Sequence, residues 1–154
     1  MSIAIARSFY EAFKARDGDS MAALYSDNIQ FSDPVFPELK AEQAKNMWRM
    51  LCGQAKDLQV EYEIILAKEN KVHVAWIATY TFSKTHNLVV NHVRAELTIE
   101  NSKIVSHQDS FDFWKWSRQA LGPLGLFLGW TPFLKKKVQA QAATSLQIFT
   151  TQRT

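Results

Sequence analysis

The fold of this chain is decided by the stretch Lys103–Trp116, which reads KIVSHQDSFDFWKW. Its first ten or so residues predict a β-strand, because aromatic and β-branched side chains are frequent and Gly and Pro are absent. Alternate residues of a strand share a face, so one face is apolar but includes a His and an Asp, while the other is polar. The first face carries Val105, His107, Asp109, Phe111 and Phe113, and the second carries Ser106, Gln108, Ser110 and Asp112.

The His and the Asp on the apolar face are the main functional signal in the chain. Two residues of strand separate the Cα atoms of His107 and Asp109 by ~7 Å. A buried imidazole and a buried carboxylate need hydrogen-bond partners, water or a chemical role. The pattern therefore predicts a polar spot inside an apolar pocket. The alternative is a structural pair, in which the two groups satisfy each other or bond to backbone and water.

Size and composition exclude several classes of protein. The 154 residues, 47% of them hydrophobic, predict one domain spanning residues 1–154 with a sizeable core. The formal charge of +3 is too small, and the run Lys135–Lys137 too local, to indicate nucleic-acid binding. The single Cys52 excludes an internal disulfide and is compatible with a reducing cytoplasm. The His residues lack metal-ligand spacing, so no metal site is predicted.

A very apolar stretch, LGPLGLFLGWTPFL, spans Leu121–Leu134. Gly and Pro interrupt it, and nowhere does the chain contain the run of ~18 apolar residues that a membrane span requires. We therefore expect this stretch to pack on the core or on a second subunit rather than in lipid.

Periodicity predicts helices first, then a meander of four long antiparallel strands, then a helical tail. This order is typical of the α+β class: we expect the N-terminal helices to pack in the concave face of a curved sheet, giving a cone-shaped barrel with an enclosed volume. Residues 117–154 are expected to form a helical extension of the same domain. Helices are predicted over Ile3–Arg16, Ser20–Tyr25, Lys40–Cys52, Trp114–Leu121 and Thr131–Phe149, and strands over Asn28–Ser32, Leu58–Ala67, Val72–Phe82 and Leu88–Glu100.

Three stretches resemble the SnoaL-like and ketosteroid-isomerase-like superfamily, also called the nuclear transport factor two-like fold. They are Phe9–Pro34 (FYEAFKARDGDSMAALYSDNIQFSDP), the helix Lys40–Cys52, and Glu100–Trp114 (ENSKIVSHQDSFDFW). The resemblance implies a homodimer, since members often dimerise through the open sheet face. The superfamily contains isomerases, cyclases, epoxide hydrolases, dehydratases and binding modules, so the resemblance implies a fold more specifically than a reaction.

The resemblance also assigns roles to single residues. Asp33 falls where ketosteroid isomerases keep their general base, and Tyr10, or Phe9 with a longer turn, falls where they keep an oxyanion-stabilising Tyr. The protonated Asp of those isomerases corresponds to Arg94 or Ala95, neither of which is a carboxylic acid.

A second set of enzymes in the superfamily matches a different residue. Asp109 falls where polyketide cyclases and limonene epoxide hydrolases keep an acid/base Asp. The epoxide hydrolases pair that Asp with an Arg and a second Asp, and Arg94-Ala95-Glu96 resembles this arrangement with Glu in place of Asp.

The turn before the organising strand decides whether Arg94 and Glu96 face the pocket. A two-residue loop, Asn101-Ser102, pairs Arg94 with Asp109 and Glu96 with His107 on one face. That register would bury His92, Arg94 and Glu96 together.

A three-residue loop, Glu100–Ser102, gives the other register, with Ser102 in the left-handed conformation where Gly is usual. It turns the apolar residues of the preceding strand inward. Burial of an apolar face normally fixes the register, so we favour this loop and expect Arg94 to point outward, toward solvent or a subunit interface. The resulting pairs are Val93 with Asp109 and Ala95 with His107.

Three hypotheses follow. The first is a small cofactor-free enzyme whose apolar pocket takes a small, largely apolar molecule with a carbonyl or epoxide oxygen. Asp109 is the acid/base, oriented by His107, with Asp33 as a second carboxylate and Tyr10 as an oxyanion donor. The second is a non-catalytic binding module with the same pocket, and the third is an interaction protein. The aromatic residues expected to line the pocket are Phe13, Trp48, Trp76 and Phe111.

Overall fold

A sheet and the helices packed against it position all the candidate residues. The computed structural model describes residues Ser2–Arg153. The helices are α1 (Ser2–Lys14), α2 (Gly18–Leu24), α3 (Glu42–Gln54), α4 (Phe113–Leu121), α5 (Pro123–Leu128) and α6 (Pro132–Arg153). The strands are β1 (Tyr25–Ser32), β2 (Leu39–Lys40), β3 (Gln59–Lys68), β4 (Lys71–Thr81), β5 (Leu88–Glu100) and β6 (Lys103–Ser110).

The strands form one mixed, curved and unclosed sheet in the order β2-β1-β6-β5-β4-β3. Strands β3 to β6 make the antiparallel meander that the sequence predicts. Strand β1 lies parallel to β6 and brings Phe31 beside His107, a pairing that the hydrophobic pattern does not indicate. Helix α1 packs across β3, β4 and β5. The predicted α+β class, with helices against the concave face of a curved sheet, is confirmed.

Helix α1 and two of the strands it covers, β4 and β5, form the centre of the core. Ala6, Phe9, Tyr10 and Phe13 recur at helical spacing on one face of α1, and all four are buried. Burying a side chain as large as Phe contributes about 1.5–3 kcal/mol to the free energy of folding. Contact with this layer therefore fixes which face of each strand points inward. The facing residues are Val72, Val74, Trp76 and Ala78 of β4 and Val93, Ala95, Leu97 and Ile99 of β5.

The hairpin between β5 and β6 differs from both registers considered above. Glu100 pairs with Lys103, so the loop is the two-residue Asn101-Ser102, and the favoured three-residue loop is wrong. Both loop residues have positive φ, 51° and 62°, the conformation of the tight turns that match strand twist.

A β-bulge then changes the pairing by one residue. Ile99 faces Ile104 but Thr98 faces Ser106, which leaves Val105 without a partner in the ladder. Val105 is consequently half-buried while Ile104 is fully buried, contrary to the predicted inward face.

The bulge restores the side-chain orientation that the favoured register anticipated. Ala95 lies opposite Asp109 and Leu97 lies opposite His107, so the predicted pairs are each wrong by two residues. A shift of two keeps every side chain on its own face. The apolar face of β5 therefore points inward, and Arg94 is exposed on the outer face, as expected.

Strand β6 ends earlier than expected, because a helix begins directly after it. Asp112 caps α4 by accepting a hydrogen bond from the backbone N–H of Lys115, at 3.1 Å. Phe113 is therefore buried as the first helical residue rather than as part of the strand.

The C-terminal segment forms three helices, of which α6 packs along α3. Leu134 and Leu146 are its buried residues. For Leu121–Leu134, the expectation of packing on the core is wrong for the largest side chains, since Phe127, Trp130 and Phe133 are 69–72% exposed. Packing on a second subunit stays a prediction. Between Ser2 and Arg153 there is no helix with the length and hydropathy needed to cross a membrane.

Candidate functional site

A cavity of about 270 Å³ lies between the inner face of the sheet and helices α3, α4 and α6. Its wall is largely aromatic and aliphatic, and it includes the four residues for which a lining position was expected: Phe13, Trp48, Trp76 and Phe111. Two carboxylic residues, Asp33 and Asp109, open on this one cavity.

A buried chain of hydrogen bonds ends at one of these carboxyls. Trp48 Nε1–H donates to the Tyr25 hydroxyl oxygen at 2.7 Å, and that hydroxyl lies 2.7 Å from His107 Nδ1. His107 Nε2 lies 2.8 Å from Asp109 Oδ1. All four residues are buried, with exposures between 0 and 6%. The predicted His–Asp contact is present, and two aromatic residues extend it.

The chain of bonds determines where the protons lie. Because Tyr25 already accepts the Trp48 N–H, its own proton needs an acceptor, and His107 Nδ1 is the one within reach among the described residues. The imidazole then carries its proton on Nε2 and donates it to Asp109, which favours the ionised carboxylate. Any other arrangement leaves the buried Tyr25 O–H unbonded, at a cost of about 1–3 kcal/mol.

The hydroxyl of Tyr25 keeps its proton at neutral pH and well above it. Burial raises its pKa well above the usual value, and the charge of Asp109 adds to this rise, while the hydrogen bond from Trp48 opposes it. The hydroxyl is therefore a constant donor to His107 and fixes the tautomer of the imidazole.

Aromatic rings hold the imidazole in place. The Trp48 ring stacks on it with centroids 5.9 Å apart and an interplanar angle of 16°. Phe9 and Phe31 meet it edge-on at 5.5 and 5.0 Å. These contacts come from α1, α3 and β1, so three separate elements restrict the rotation of His107 and hold its Nε2 toward Asp109.

Asp33 follows the last residue of β1 and has two contacts of different kinds. Its Oδ1 accepts the backbone N–H groups of Val35 and Phe36 at 2.7 and 2.6 Å, an Asx turn of the type that often precedes or includes Pro. No described residue forms a hydrogen bond with Oδ2. Burial raises the pKa of Asp33 to about 7; the Phe36 amide opposes this rise and the charge of Asp109 adds to it.

Tyr10 is fully buried, and it is not among the residues that line the cavity. Its hydroxyl and the Nε1–H of Trp76, which does line the cavity, have no hydrogen-bond partner in the described part of the chain. Burial, and after it the charge of Asp109, raise the pKa of Tyr10 well above its usual value. Buried donors without acceptors are rare in proteins and indicate an unseen water or ligand acceptor.

Arg94 and Glu96 lie away from the cavity. Glu96 pairs with Lys71 at 3.2 Å and with His73 at 3.7 Å on the outer face of the sheet. The bulge in β6 directs Asp109 to the opposite face, so the Arg and the two carboxylates of the epoxide-hydrolase pattern do not come together in this chain. In residues Ser2–Arg153 no group of three or more His, Cys, Asp or Glu side chains is arranged to hold a metal ion.

Sequence reasoning missed two parts of the site. Tyr25 was assigned to the end of a helix, whereas it begins β1 and pairs with Ile104. Its alternation with Ile29 and Phe31 along the chain was the available signal, but Asp27 interrupts it. The other missed part is α6, which lines the cavity through Val138, Gln141, Ala142 and Ser145.

The sequence matches the family model of the SnoaL-like domain over residues 6–107. The match ends at His107, so Asp109 and the helices after it lie beyond the matched residues. Among curated proteins, none matches the chain significantly.

Solved structures share the fold at low sequence identity, which establishes the fold and nothing finer. A protein with a ketosteroid isomerase-like fold from Catenulispora acidiphila is 14% identical with a TM-score of 0.68, over 83% of this chain and 97% of that one. An LEH-like epoxide hydrolase from M. tuberculosis is 18% identical with a TM-score of 0.63, over 82% and 95%. An NTF2-like protein from Burkholderia xenovorans is 18% identical with a TM-score of 0.61, over 77% and 95%.

These structures agree with the topology described above, and the family model covers 102 of the 154 residues. The chain belongs to the SnoaL-like domain family.

Proposed function

We propose that the cavity binds a small, largely apolar molecule with a carbonyl or epoxide oxygen, and that Asp109 and Asp33 catalyse a cofactor-free acid–base step on it. One observation supports this proposal: two carboxyls with different hydrogen-bond partners open on the same apolar cavity. Asp109 accepts the N–H of His107, which favours a carboxylate there, whereas burial raises the pKa of Asp33 to about 7. Carboxyl pairs held in different states are a common device for acid–base chemistry at neutral pH.

Each carboxyl would have its own step. In an isomerisation, Asp109 takes a proton from the carbon next to the carbonyl while protonated Asp33 gives one to the carbonyl oxygen. In an epoxide hydrolysis, Asp109 takes a proton from the attacking water while Asp33 protonates the oxygen released by ring opening. In the isomerisation, the enol then takes the proton from Asp109 at another carbon and returns its hydroxyl proton to Asp33, which gives the isomer and restores both carboxyls. In the epoxide hydrolysis, Asp109 gains a proton and Asp33 loses one, so a proton transfer from Asp109 to Asp33 through water restores the site.

The other polar groups support these steps. His107 is a positioning residue, because its bond to Asp109 orients the carboxylate, and Tyr25 holds the imidazole in the required tautomer. The N–H of Trp76, which lines the cavity, is an unpartnered donor that a substrate oxygen could use. The Tyr10 hydroxyl also has no partner among the described residues, but Tyr10 does not line the cavity, so the expected role as oxyanion donor is not assigned to it. The epoxide hydrolase of the same fold supports the assignment to small-molecule chemistry by analogy.

The test begins with native mass spectrometry of the purified protein, followed by denaturation and identification of any released small molecule. We expect an apolar ketone, ester, acid or epoxide precursor, which then defines the assay. Asp109→Asn should reduce turnover by roughly 10²–10⁴-fold, with the fold retained. The exposed Asp27→Asn is the matched control and should be unaffected. Normal turnover of a confirmed substrate by Asp109→Asn would end the catalytic assignment.

A binding module with the same cavity is the second candidate. It is favoured by the nearly complete bonding of the Trp48–Tyr25–His107–Asp109 chain, which is also what a purely structural network requires. This function predicts that a bound apolar molecule is recovered unchanged. It also predicts that Asp109→Asn weakens binding by no more than one hydrogen bond.

The assembly and location that we propose are a homodimer in the cytoplasm. Support for the dimer comes from the outer face of the sheet, which carries Arg94 near Glu61 and Glu63, opposite charges that a two-fold axis can pair. Light scattering should give twice the mass of the chain, and Arg94→Glu should shift it toward the monomer. A monomer in the unchanged protein would refute the dimer.

A further inference from the structure

The segment from α4 to the first turn of α6 exposes a cluster of large apolar side chains. We call this cluster the apolar patch. A single exposed apolar residue is ordinary, but seven large ones within residues 114–133 point to an interaction surface. Its members and their exposures are Trp114 (39%), Leu124 (50%), Leu126 (44%), Phe127 (69%), Leu128 (39%), Trp130 (72%) and Phe133 (72%).

The way α5 packs explains why these side chains point outward. Gly125 and Gly129 are the residues that face α4, and both are buried. A Cβ on Gly125 would lie 1.9 Å from the carbonyl oxygen of Ser117, and one on Gly129 would lie 2.0 Å from Ser117 Oγ. No side chain fits there. Gly125 of α5 and Gly129 just after it are therefore turned toward α4, and the leucines and the phenylalanine of α5 are exposed. An ordinary surface helix has the opposite arrangement, with its apolar side chains buried.

Two hydrogen bonds fix the exposed rings. Trp114 Nε1 donates to the carbonyl of Leu126 at 3.2 Å, and Trp130 Nε1 donates to the carbonyl of Phe127 at 3.0 Å. The indole N–H groups are thus satisfied within the segment, and the apolar ring surfaces remain available to a partner. The patch is a built feature of the α4–α5 packing.

Basic side chains lie next to the apolar patch. Residues 113–154 contain six Lys and Arg and no Asp or Glu, whereas residues 1–112 contain twelve Lys and Arg and fifteen Asp and Glu. The Arg118 guanidinium lies 4.4 Å above the Trp114 ring. Lys136 and Lys137 follow Phe133 by three and four residues on α6, and this spacing places them on its side of the helix.

We propose that the apolar patch docks the protein onto an anionic phospholipid bilayer as a peripheral surface, without spanning it, which departs from the expectation that Leu121–Leu134 avoids lipid. Trp, Phe and Leu side chains beside Lys and Arg are the composition that favours the boundary between headgroups and acyl chains. The basic groups would lie against lipid phosphates, each adding attraction that falls with salt.

The charge argues against a second copy of the chain as the occupant. In a two-fold contact the same patch meets itself, so Arg118, Lys136 and Lys137 of one protomer would approach their own counterparts. With no acidic residue between 113 and 154, the segment cannot neutralise that repulsion. The phosphates of an anionic bilayer can neutralise these basic groups.

The patch adjoins the cavity. Trp116 and Leu121 of α4 and Val138 of α6 line the cavity, and the same two helices flank the patch. Docking would therefore hold the cavity close to the bilayer, a store of small apolar molecules. The docking proposal stands apart from the chemistry in the cavity, because an inactive protein would bind vesicles equally well.

Vesicle sedimentation of the full chain tests the proposal. We expect pelleting with vesicles containing roughly one third phosphatidylglycerol and little with pure phosphatidylcholine, since anionic lipid adds about 1 kcal/mol of attraction per basic residue. Lys136→Gln with Lys137→Gln should weaken partitioning roughly thirtyfold by the same constant. Phe127→Ser with Trp130→Ser should abolish it.

The matched control is Ile65→Ser with Leu66→Ser, two exposed apolar residues of β3 at 48 and 56% exposure, which should leave partitioning unchanged. Circular dichroism checks that each variant is folded. Equal pelleting with both kinds of vesicle, or none with either, would overturn the proposal. So would light scattering in which Phe127→Ser with Trp130→Ser converts an oligomer to a monomer, because the patch would then be a contact between copies.

Discussion

The interior of the cavity buries an imidazole and a carboxylate among aromatic rings, whereas the α4–α6 segment exposes aromatic rings among lysines. Both arrangements depart from the usual distribution of polar and apolar side chains. They differ in whether the departure is compensated within the chain. His107 has a partner for each ring nitrogen, whereas Phe127 and Trp130 have no apolar cover. The His107–Asp109 contact is therefore satisfied within the chain, whereas we propose an external surface as the cover of Phe127 and Trp130.

The largest expected effect is a difference in the free energy of unfolding between a substitution in the cavity wall region and one in the apolar patch. Phe31 is 2% exposed and packs edge-on against His107 and Trp48, so Phe31→Ala should lower the free energy of unfolding by about 3–5 kcal/mol. Phe127→Ala should change it by no more than about 0.5 kcal/mol. Urea titration of both variants measures the difference. Equal losses would mean that α5 is packed into the fold and that the comparison fails.

The next effect concerns pH. The pKa of Asp33 is about 7 in the folded state and about 3.9 when unfolded. As pH rises between these values the unfolded state loses its proton first, so stability should fall by a few kcal/mol across roughly pH 4–7 and stay low above it. Asp33→Asn should remove most of this slope while keeping the Asx turn.

Asp17 provides the opposite sign as a control for that experiment. Hydrogen bonds from the side chain and backbone N–H of Ser20 lower its pKa, so its contribution is lost as pH falls, and Asp17→Asn should reduce the loss of stability in acid. A profile for Asp33→Asn that matches the unchanged protein would contradict the raised pKa.

The smallest expected effect tests the buried hydrogen-bond chain. Tyr25→Phe leaves Trp48 Nε1 and His107 Nδ1 without a partner, at a cost of about 1–3 kcal/mol in the free energy of unfolding. Tyr62→Phe removes a hydroxyl that bonds exposed Glu11, and it should cost about 0.5 kcal/mol or less. Nitrogen NMR of His107 should also show Nδ1 losing its fixed unprotonated state in Tyr25→Phe. If the two variants were equal, Tyr25 would not be holding the imidazole.

Much of the interior could be predicted from the alternation of apolar and polar residues along the strands. The inward position of His107 and Asp109 and the outward position of Arg94 were predicted, because apolar faces must be buried together. The bulge at Val105 was not predicted, since an extra residue leaves no trace in the alternation beyond it. Tyr25 was missed because the parallel pairing of β1 with β6 joins residues 79 apart in the chain.

The outward orientation of the apolar side chains of α5 could not be predicted from the sequence. Apolar residues in a short helix normally indicate its buried face, and packing on the core was one of the two positions expected for Leu121–Leu134, the other being a second subunit. Close contact with Ser117 at Gly125 and Gly129 reverses the orientation of α5. This depends on how near two backbones approach each other, which hydropathy does not encode.

The central claim is that Asp33 and Asp109 hold opposite protonation states on one cavity, and carboxyl carbon NMR tests it most directly. Aspartate labelled with ¹³C, with signals assigned through Asp33→Asn and Asp109→Asn, reports each group as pH is changed. We predict that Asp33 titrates with a midpoint of about 7 while Asp109 shows a carboxylate signal at the same pH. A midpoint for Asp33 near its ordinary value of about 3.9, with both groups ionised throughout the neutral range, would contradict the account.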